Sequence, residues 1–160
     1  MRTIPINIDN LLIIPTDQYP PYSGFHILEY LEKNCQKTCQ ELVILSFSAG
    51  VVGAISAAWG CQLQGKRVKQ FIAFDGWGVP LQGNFPIYRI SHDEFTHWSS
   101  ALLGTGKISF YADPPVEHLA LWRSPQMVKG WMVETNDQGK KFLGAMSLME
   151  FLSLILTVNF

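Results

Sequence analysis

The sequence predicts an α/β fold, a three-layer sandwich whose small, mostly parallel sheet has about five strands and carries helices on both faces. Short apolar or β-branched segments alternate along the chain with segments of helical length and periodicity. Parallel strands require crossover connections, and helices of this length supply them. The chain has 160 residues, 48% of them hydrophobic and 16% charged, so it has the size and apolar content of a single domain, residues 1–160.

The first half of the chain contains two predicted strands and two predicted helices. The apolar segment at residues 10–15 predicts a first strand, and the helical spacing of apolar side chains in residues 22–39 predicts a helix. A second strand, residues 42–46, precedes an Ala-, Gly- and Val-rich segment at residues 49–62, which suits a helix packed closely on a sheet.

The second half continues the alternation. Residues 68–74, 86–91 and 108–112 are short, apolar and rich in β-branched or aromatic side chains, which is typical of strands. Residues 93–103, between the last two of these strands, have the length of a helix. The strongly apolar residues 142–160 carry polar side chains at roughly helical spacing, so they predict a packed C-terminal helix and no membrane span.

Composition and charge exclude several classes of function. The 12 basic and 13 acidic side chains give a net charge of -1 without a large basic cluster, so we expect no nucleic-acid partner. Three cysteines, Cys35, Cys39 and Cys61, lack metal-finger spacing and favour free thiols in a reducing, cytoplasmic setting. Residues 1–9 lack the continuous apolar core of a secretory signal.

The segment Ser46-Phe47-Ser48-Ala49-Gly50 joins the second predicted strand to the following helix. A strand, a sharp turn and a helix form the arrangement that presents a nucleophilic serine, so Ser48 is the candidate nucleophile. Ser46 stands where the pattern G-x-S-x-G has glycine, whereas Gly50 is retained. The alternative is that Ser48 only caps the helix that follows it.

With this turn and the later segment Val116-Glu117-His118-Leu119, the chain resembles a reduced α/β-hydrolase of cutinase-like size over residues 10–134. The family's order is nucleophile, acid, histidine, with the histidine in the loop after the last strand. His118 follows residues 108–112, and residues 121–128 resemble the start of the family's closing helix. The alternative for His118 is a loop histidine bonded to backbone. Only 47 residues precede Ser48, so we expect the family's usual antiparallel first strands to be largely missing. Residues 76–85 are too short for a crossover helix or a cap domain.

The resemblance implies further site residues. The acid is Asp93, which follows the strand at residues 86–91, with Asp75 at the end of the preceding strand as the alternative acid. Asp93 could instead cap the next helix, since aspartate is a favoured N-cap residue. The oxyanion hole would use the N–H of Ala49 and a second N–H from the loop around Asp17.

Four aromatic side chains are the candidate walls of the substrate site: Tyr19, Tyr22, Trp77 and Phe95. They offer apolar area and few charges, so we expect an uncharged, short acyl substrate in a shallow site. A metal at His92, Asp93 and His97 is disfavoured because histidines five residues apart do not share a helix face. We therefore expect no metal and no cofactor.

Two functions follow from this pattern. The first is a serine hydrolase of small-molecule esters or thioesters that forms an acyl-enzyme on Ser48. The alternative is a non-catalytic member of the same fold that serves as a binding or interaction module, which Ser46 and the shortened connections favour. The sequence does not specify the acyl chain, the leaving group or the oligomeric state.

Overall fold

The computed structural model describes residues 10–35, 39–104, 106–136 and 139–157, and within them it has an α/β architecture. Its strands are β1 (Glu41–Phe47), β2 (Arg67–Phe74), β3 (Ile87–Ser91), β4 (Ile108–Ala112), β5 (Lys129–Asn136) and β6 (Gly139–Ser147). Its helices are α1 (Gly24–Asn34), α2 (Gly50–Leu63), α3 (Glu94–Ala101), α4 (Ala120–Arg123) and α5 (Leu148–Thr157).

The described strands form one mixed sheet of six strands in the order β1-β2-β3-β4-β5-β6. β1 to β4 run parallel, whereas β5 and β6 are antiparallel to their neighbours. Phe47 at the end of β1 lies opposite Phe74, and Phe74 lies opposite Ile90 of β3. The residues that directly follow the first three strands therefore meet at one edge of the sheet.

Alternate side chains of the strands build two cores, one on each face of the sheet. On one face, α1 and α2 pack against Phe71 and Ala73 of β2. On the other face, Ile72 and Phe74 share a core with buried side chains of α4 and α5. This period-two alternation gives the helix–sheet–helix layering that the sequence predicts.

α1 and α2 approach each other closely at Gly53. A Cβ atom added there would lie 2.9 Å from the N atom of Ser23, the N-cap residue of α1, and 2.8 Å from Cδ1 of Ile27. Gly50, one turn earlier, is not crowded, since its added Cβ would meet only Cβ of Pro21 at 3.9 Å. Gly24 and Gly60 are crowded at the same crossing, since a Cβ atom added to Gly24 would lie 2.6 Å from Cβ of Ser56 and one added to Gly60 would meet the side chain of Leu28.

Four predicted strands are confirmed as β1 to β4, and three predicted helices as α1 to α3. The first predicted strand is wrong, because residues 10–15 form no strand. They run beside α1, where the hydroxyl of Tyr30 donates to the carbonyl of Ile13 at 2.8 Å.

The C-terminal predictions need a larger correction. Residues 121–128 do not form a long closing helix, since α4 ends at Arg123 and β5 begins at Lys129. Residues 142–147 belong to β6, and helix α5 starts only at Leu148. The parts of the predictions that concern residues 1–9 and 158–160 lie outside the described residues.

The polar side chains near the C-terminus do not form the stripe along one face of a helix that the sequence predicts. The backbone N–H of Ser147 donates to Oε2 of Glu150 at 2.7 Å, and the N–H of Glu150 donates to Oγ of Ser147 at 3.2 Å. This reciprocal pair is a capping box, which starts α5 instead of lying along one face of it. Among the helices of the described ranges, none combines the length and apolarity that crossing a bilayer requires.

Candidate functional site

Ser48 lies on a sharp turn between β1 and α2. Its φ of 53° falls in the left-handed region, which is uncommon and strained for a residue other than glycine. Its N–H donates to the carbonyl of Phe74 at 2.8 Å, so the turn stays attached to the neighbouring strand. The N-cap residue of α2 is Ala49, without a side-chain capping bond. The capping alternative for Ser48 is therefore not what the structure contains.

Ser46 fits the turn although the usual pattern has glycine at its position. It lies within β1 opposite the small residue Ala73 and is 6% exposed. Its hydroxyl donates to the carbonyl of Ile72 on the adjacent strand at 3.4 Å. A serine here is buried and hydrogen-bonded, so it leaves the conformation at Ser48 intact.

His118 reaches Ser48 from the loop between β4 and α4. Its Nε2 lies 3.1 Å from Oγ of Ser48, within hydrogen-bond distance. The ring of Phe47 stacks on the imidazole with centroids 4.7 Å apart. The loop is fixed to the sheet by the N–H of Val116, which donates to the carbonyl of His92 at 3.0 Å. These contacts hold the imidazole over the turn.

The carboxylate that contacts His118 is that of Asp75. Its Oδ2 lies 2.6 Å from Nδ1 of His118, and its side chain is only 2% exposed. The prediction that Asp93 occupies this place is therefore wrong, and the alternative Asp75 is the residue that the structure brings to the histidine. The reason is the strand order: β2 lies directly beside β1, whereas Asp93 follows β3, one strand further away.

Asp93 caps α3 instead. Its Oδ1 accepts the N–H of Thr96 at 2.6 Å. Partial burial raises the pKa of Asp93, but the hydrogen bonds from Thr96 and the nearby His92 together outweigh that effect, so its pKa lies below the usual value. Its other oxygen, Oδ2, lies 3.5 Å from Nε2 of His92.

His92 also belongs to the site, although the sequence analysis names it only in the disfavoured metal alternative. Its N–H donates to Oδ1 of Asp75 at 2.9 Å, and its Nδ1 lies 2.9 Å from Oδ2 of the same carboxylate. With His118 included, three nitrogen atoms contact this carboxylate. The sequence contained one signal for it, since His92 directly follows β3 at the edge of the sheet where Asp75 follows β2.

A cavity of about 390 Å³ opens beside Ser48. Its lining residues are Ser48, Ala49, Val52, Asp75, Trp77, Val79, His92, Phe95, Thr96 and His118. Trp77 and Phe95 are therefore wall residues, as predicted, and Ala49 lines the cavity next to Ser48.

The predicted loop residues Asp17, Tyr19 and Tyr22 do not line this cavity. Asp17 is exposed, Tyr19 packs edge-on against Tyr30 with ring centroids 5.0 Å apart, and Tyr22 is 65% exposed. The assignments of Asp17 to the oxyanion hole and of both tyrosines to the substrate walls are corrected accordingly. They depended on a first strand that residues 10–15 do not form.

The loop that carries Trp77 is held from inside by a buried arginine. Arg89 is 3% exposed and donates to the carbonyls of Gly76 at 3.3 Å and Val79 at 2.9 Å. Burial lowers the pKa of Arg89 to about 10. The residues between β2 and β3 form no helix or strand, in agreement with the prediction that this segment is too short for a crossover helix.

His97 lies apart from this site. Its ring is 4% exposed, and its Nε2 lies 2.8 Å from Oγ of Ser109 in the sheet. Burial, with smaller contributions from Lys140 and Arg89, lowers the pKa of His97 to about 4. The metal alternative at His92, Asp93 and His97 is thus not assembled.

The structure does assemble another set of potential metal ligands. One atom each of Asp75, His92 and His118 lies within 4.8 Å of the others. Carboxylate oxygen and imidazole nitrogen are ligands that transition metals accept. The same side chains could thus serve a serine nucleophile or a metal ion.

Comparison of the chain with protein-family models, curated proteins and solved structures finds no significant match. The case for a function therefore depends on the geometry of Ser48, His118, Asp75 and the cavity beside them.

Proposed function

We propose that this protein is a serine hydrolase of the α/β-hydrolase type that cleaves an ester or thioester through an acyl-enzyme on Ser48. The observation that carries the proposal is the continuous contact from Oγ of Ser48 to Nε2 of His118, at 3.1 Å, and from Nδ1 of His118 to Oδ2 of Asp75, at 2.6 Å. A nucleophile, a base and an orienting acid in this order activate a serine in unrelated folds.

In the proposed reaction, Oγ of Ser48 attacks the substrate carbonyl while Nε2 of His118 takes the hydroxyl proton. The imidazolium that results is stabilised by the carboxylate of Asp75, which also keeps the neutral ring protonated on Nδ1. His118 then gives the proton to the departing alcohol or thiol. Water repeats the sequence on the acyl-enzyme, so Ser48 and the ring return to their starting states.

The developing oxyanion needs hydrogen-bond donors close to Ser48. The N–H of Ala49 lies at the start of α2, where first-turn N–H groups lack helical partners and the helix dipole favours negative charge. Loss of one such donor typically costs about 10²–10³ in kcat. Ala49 is therefore the proposed oxyanion donor.

The cavity walls favour an uncharged, short acyl group. Val52, Val79, Trp77 and Phe95 provide apolar surface, and Trp77 and Phe95 are 65% and 67% exposed at the rim. A negatively charged acyl group would lie close to the buried carboxylate of Asp75, which repels it. Phosphorylated or strongly anionic substrates are expected to be poor.

A fluorophosphonate probe tests the nucleophile. We expect covalent labelling of the wild type, complete loss in Ser48→Ala, and retained labelling in Ser46→Ala, which changes a matched serine two residues earlier in β1. Circular dichroism would establish that the variants are folded. A folded but unreactive wild type would contradict the proposal and favour the non-catalytic binding module.

A panel of p-nitrophenyl esters of increasing chain length tests the substrate class. We expect kcat/KM to be highest for short acyl chains, because a cavity of about 390 Å³ without a cap gives a long chain little further apolar contact. Activity that rises steadily into long chains would contradict this expectation.

A further inference from the structure

We propose that Asp75, His92 and His118 form a binding site for a zinc-class divalent ion, and that the bound ion switches off Ser48. The inhibition of Ser48, which is the switching half of the proposal, rests on the proposed function. The binding of the ion, which is the binding half, does not. Two neutral imidazoles and one carboxylate are a familiar ligand set for zinc, which completes a tetrahedron with a water molecule.

The distances are close to those of a metal site. Zinc bonds of 2.0–2.1 Å place neighbouring ligand atoms roughly 3.3 Å apart in a tetrahedron. Oδ2 of Asp75 is now 2.9 Å from Nδ1 of His92 and 2.6 Å from Nδ1 of His118. The contact to His92 needs to lengthen by about 0.4 Å and the contact to His118 by about 0.7 Å. The ligand atoms of the two histidines lie within 4.8 Å of each other. The side chains of His92 and His118 are 26% and 41% exposed, so both rings have room to move.

His92 also has a carboxylate next to the ring nitrogen that would not bind the ion. A histidine that binds zinc through one ring nitrogen usually donates its other N–H to a carboxylate, which fixes the ring. Oδ2 of Asp93 lies 3.5 Å from Nε2 of His92, on the side of the ring opposite Asp75. The capping bond from Thr96 holds Asp93 in that place. Asp93 would thus orient a zinc ligand, not the catalytic histidine.

Metal binding and base catalysis compete for the same ring of His118. When Nδ1 binds zinc, the proton of the neutral ring moves through solvent to Nε2, so the ring keeps one proton. Nε2 then faces Oγ of Ser48 as a donor and has no lone pair with which to accept the serine proton. Ser48 contacts the opposite side of the ring from Nδ1, so it is not itself a metal ligand.

Zinc sulfate titrated against a chromophoric chelator tests the binding half. We expect one strong site per chain in the wild type, weakened at least about 100-fold in His92→Ala and about tenfold in Asp93→Asn. Ser48→Ala should bind as the wild type does, and so should His26→Ala, which removes a histidine at the start of α1. Equal affinity in the wild type and in His92→Ala would overturn the site.

Fluorophosphonate labelling with and without zinc tests the switching half. We expect saturating zinc to slow labelling at least tenfold and an added chelator to restore it. Labelling that zinc leaves unchanged, or that a chelator abolishes in the wild type, would overturn the inhibitory role. If no labelling occurs without zinc, the proposed function and the switch fail together, while the titration still decides the metal site.

Discussion

Replacement of Asp75 by asparagine separates the charge of the carboxylate from its shape. The hydrogen bonds of Asp75 predict how the asparagine amide would be oriented. Oδ1 accepts the backbone N–H of His92, which can only donate, whereas the two imidazole nitrogens at Oδ2 can accept in their other tautomer, so the amide oxygen should take the Oδ1 position. The amide nitrogen then donates to Nδ1 of His118, so the ring is held protonated on Nε2 and also loses the negative charge beside it.

The lost charge and the wrong tautomer both contribute to the rate penalty. Unit charges about 4 Å apart interact by about 4 kcal/mol at an effective dielectric constant of 20. The loss of charge alone thus costs about 10³ in kcat, since each 1.36 kcal/mol is tenfold. The wrong tautomer adds to this cost, so the expected penalty for Asp75→Asn is roughly 10⁴.

The assay is kcat for a short p-nitrophenyl ester in chelator-treated buffer, and Asp93→Asn is the matched control. Asparagine and aspartate are comparable N-cap residues, so α3 should persist and kcat should fall less than tenfold. A catalytic role of Asp75 is refuted if Asp75→Asn retains more than a tenth of the wild-type kcat. It is equally refuted if Asp93→Asn loses as much as Asp75→Asn.

Two further predictions concern stability. Gly53→Ala should lower the free energy of unfolding by about 1–3 kcal/mol because its Cβ meets the start of α1, whereas Gly50→Ala should not, and urea titration of both variants checks this. His97 has a folded pKa of about 4, below the value of about 6.5 for a free histidine, so the unfolded chain binds more protons between these pH values. Between pH 7 and pH 4.5 the wild type should therefore lose roughly 2–3 kcal/mol more unfolding free energy than His97→Gln. Equal losses would contradict the buried, neutral state of His97.

Local patterns were enough to predict most of the sheet but not its antiparallel end. β1 to β4 have compact apolar segments between clear helical connections. β5 and β6 mix lysine and glycine with apolar residues, so neither strand alternates cleanly. At the C-terminus, Ser147 and Glu150 resemble a polar stripe when only helical spacing is considered. Their order, Ser followed three residues later by Glu, is also that of a capping box.

The residues of the candidate site could likewise be predicted from the sequence only in part. Ser48 depends on a local strand–turn–helix pattern, and His118 on its place after a strand, so both could be singled out from the sequence. The choice between Asp75 and Asp93 depends on which strand lies beside β1, and no local pattern contains that information. His92 was missed for the same reason, since its contact with Asp75 joins residues 17 positions apart.

The left-handed backbone at Ser48 lowers the stability of the fold at the position that the proposed activity requires. A φ of 53° costs a residue with a Cβ atom about 1–2 kcal/mol, whereas glycine adopts it freely. Compared with Ser48→Ala, which keeps the Cβ, Ser48→Gly should therefore unfold at a higher denaturant concentration although both lack the proposed nucleophile. Selection for stability alone would replace this serine by glycine. The strained side chain would persist in a population only while its chemistry is needed.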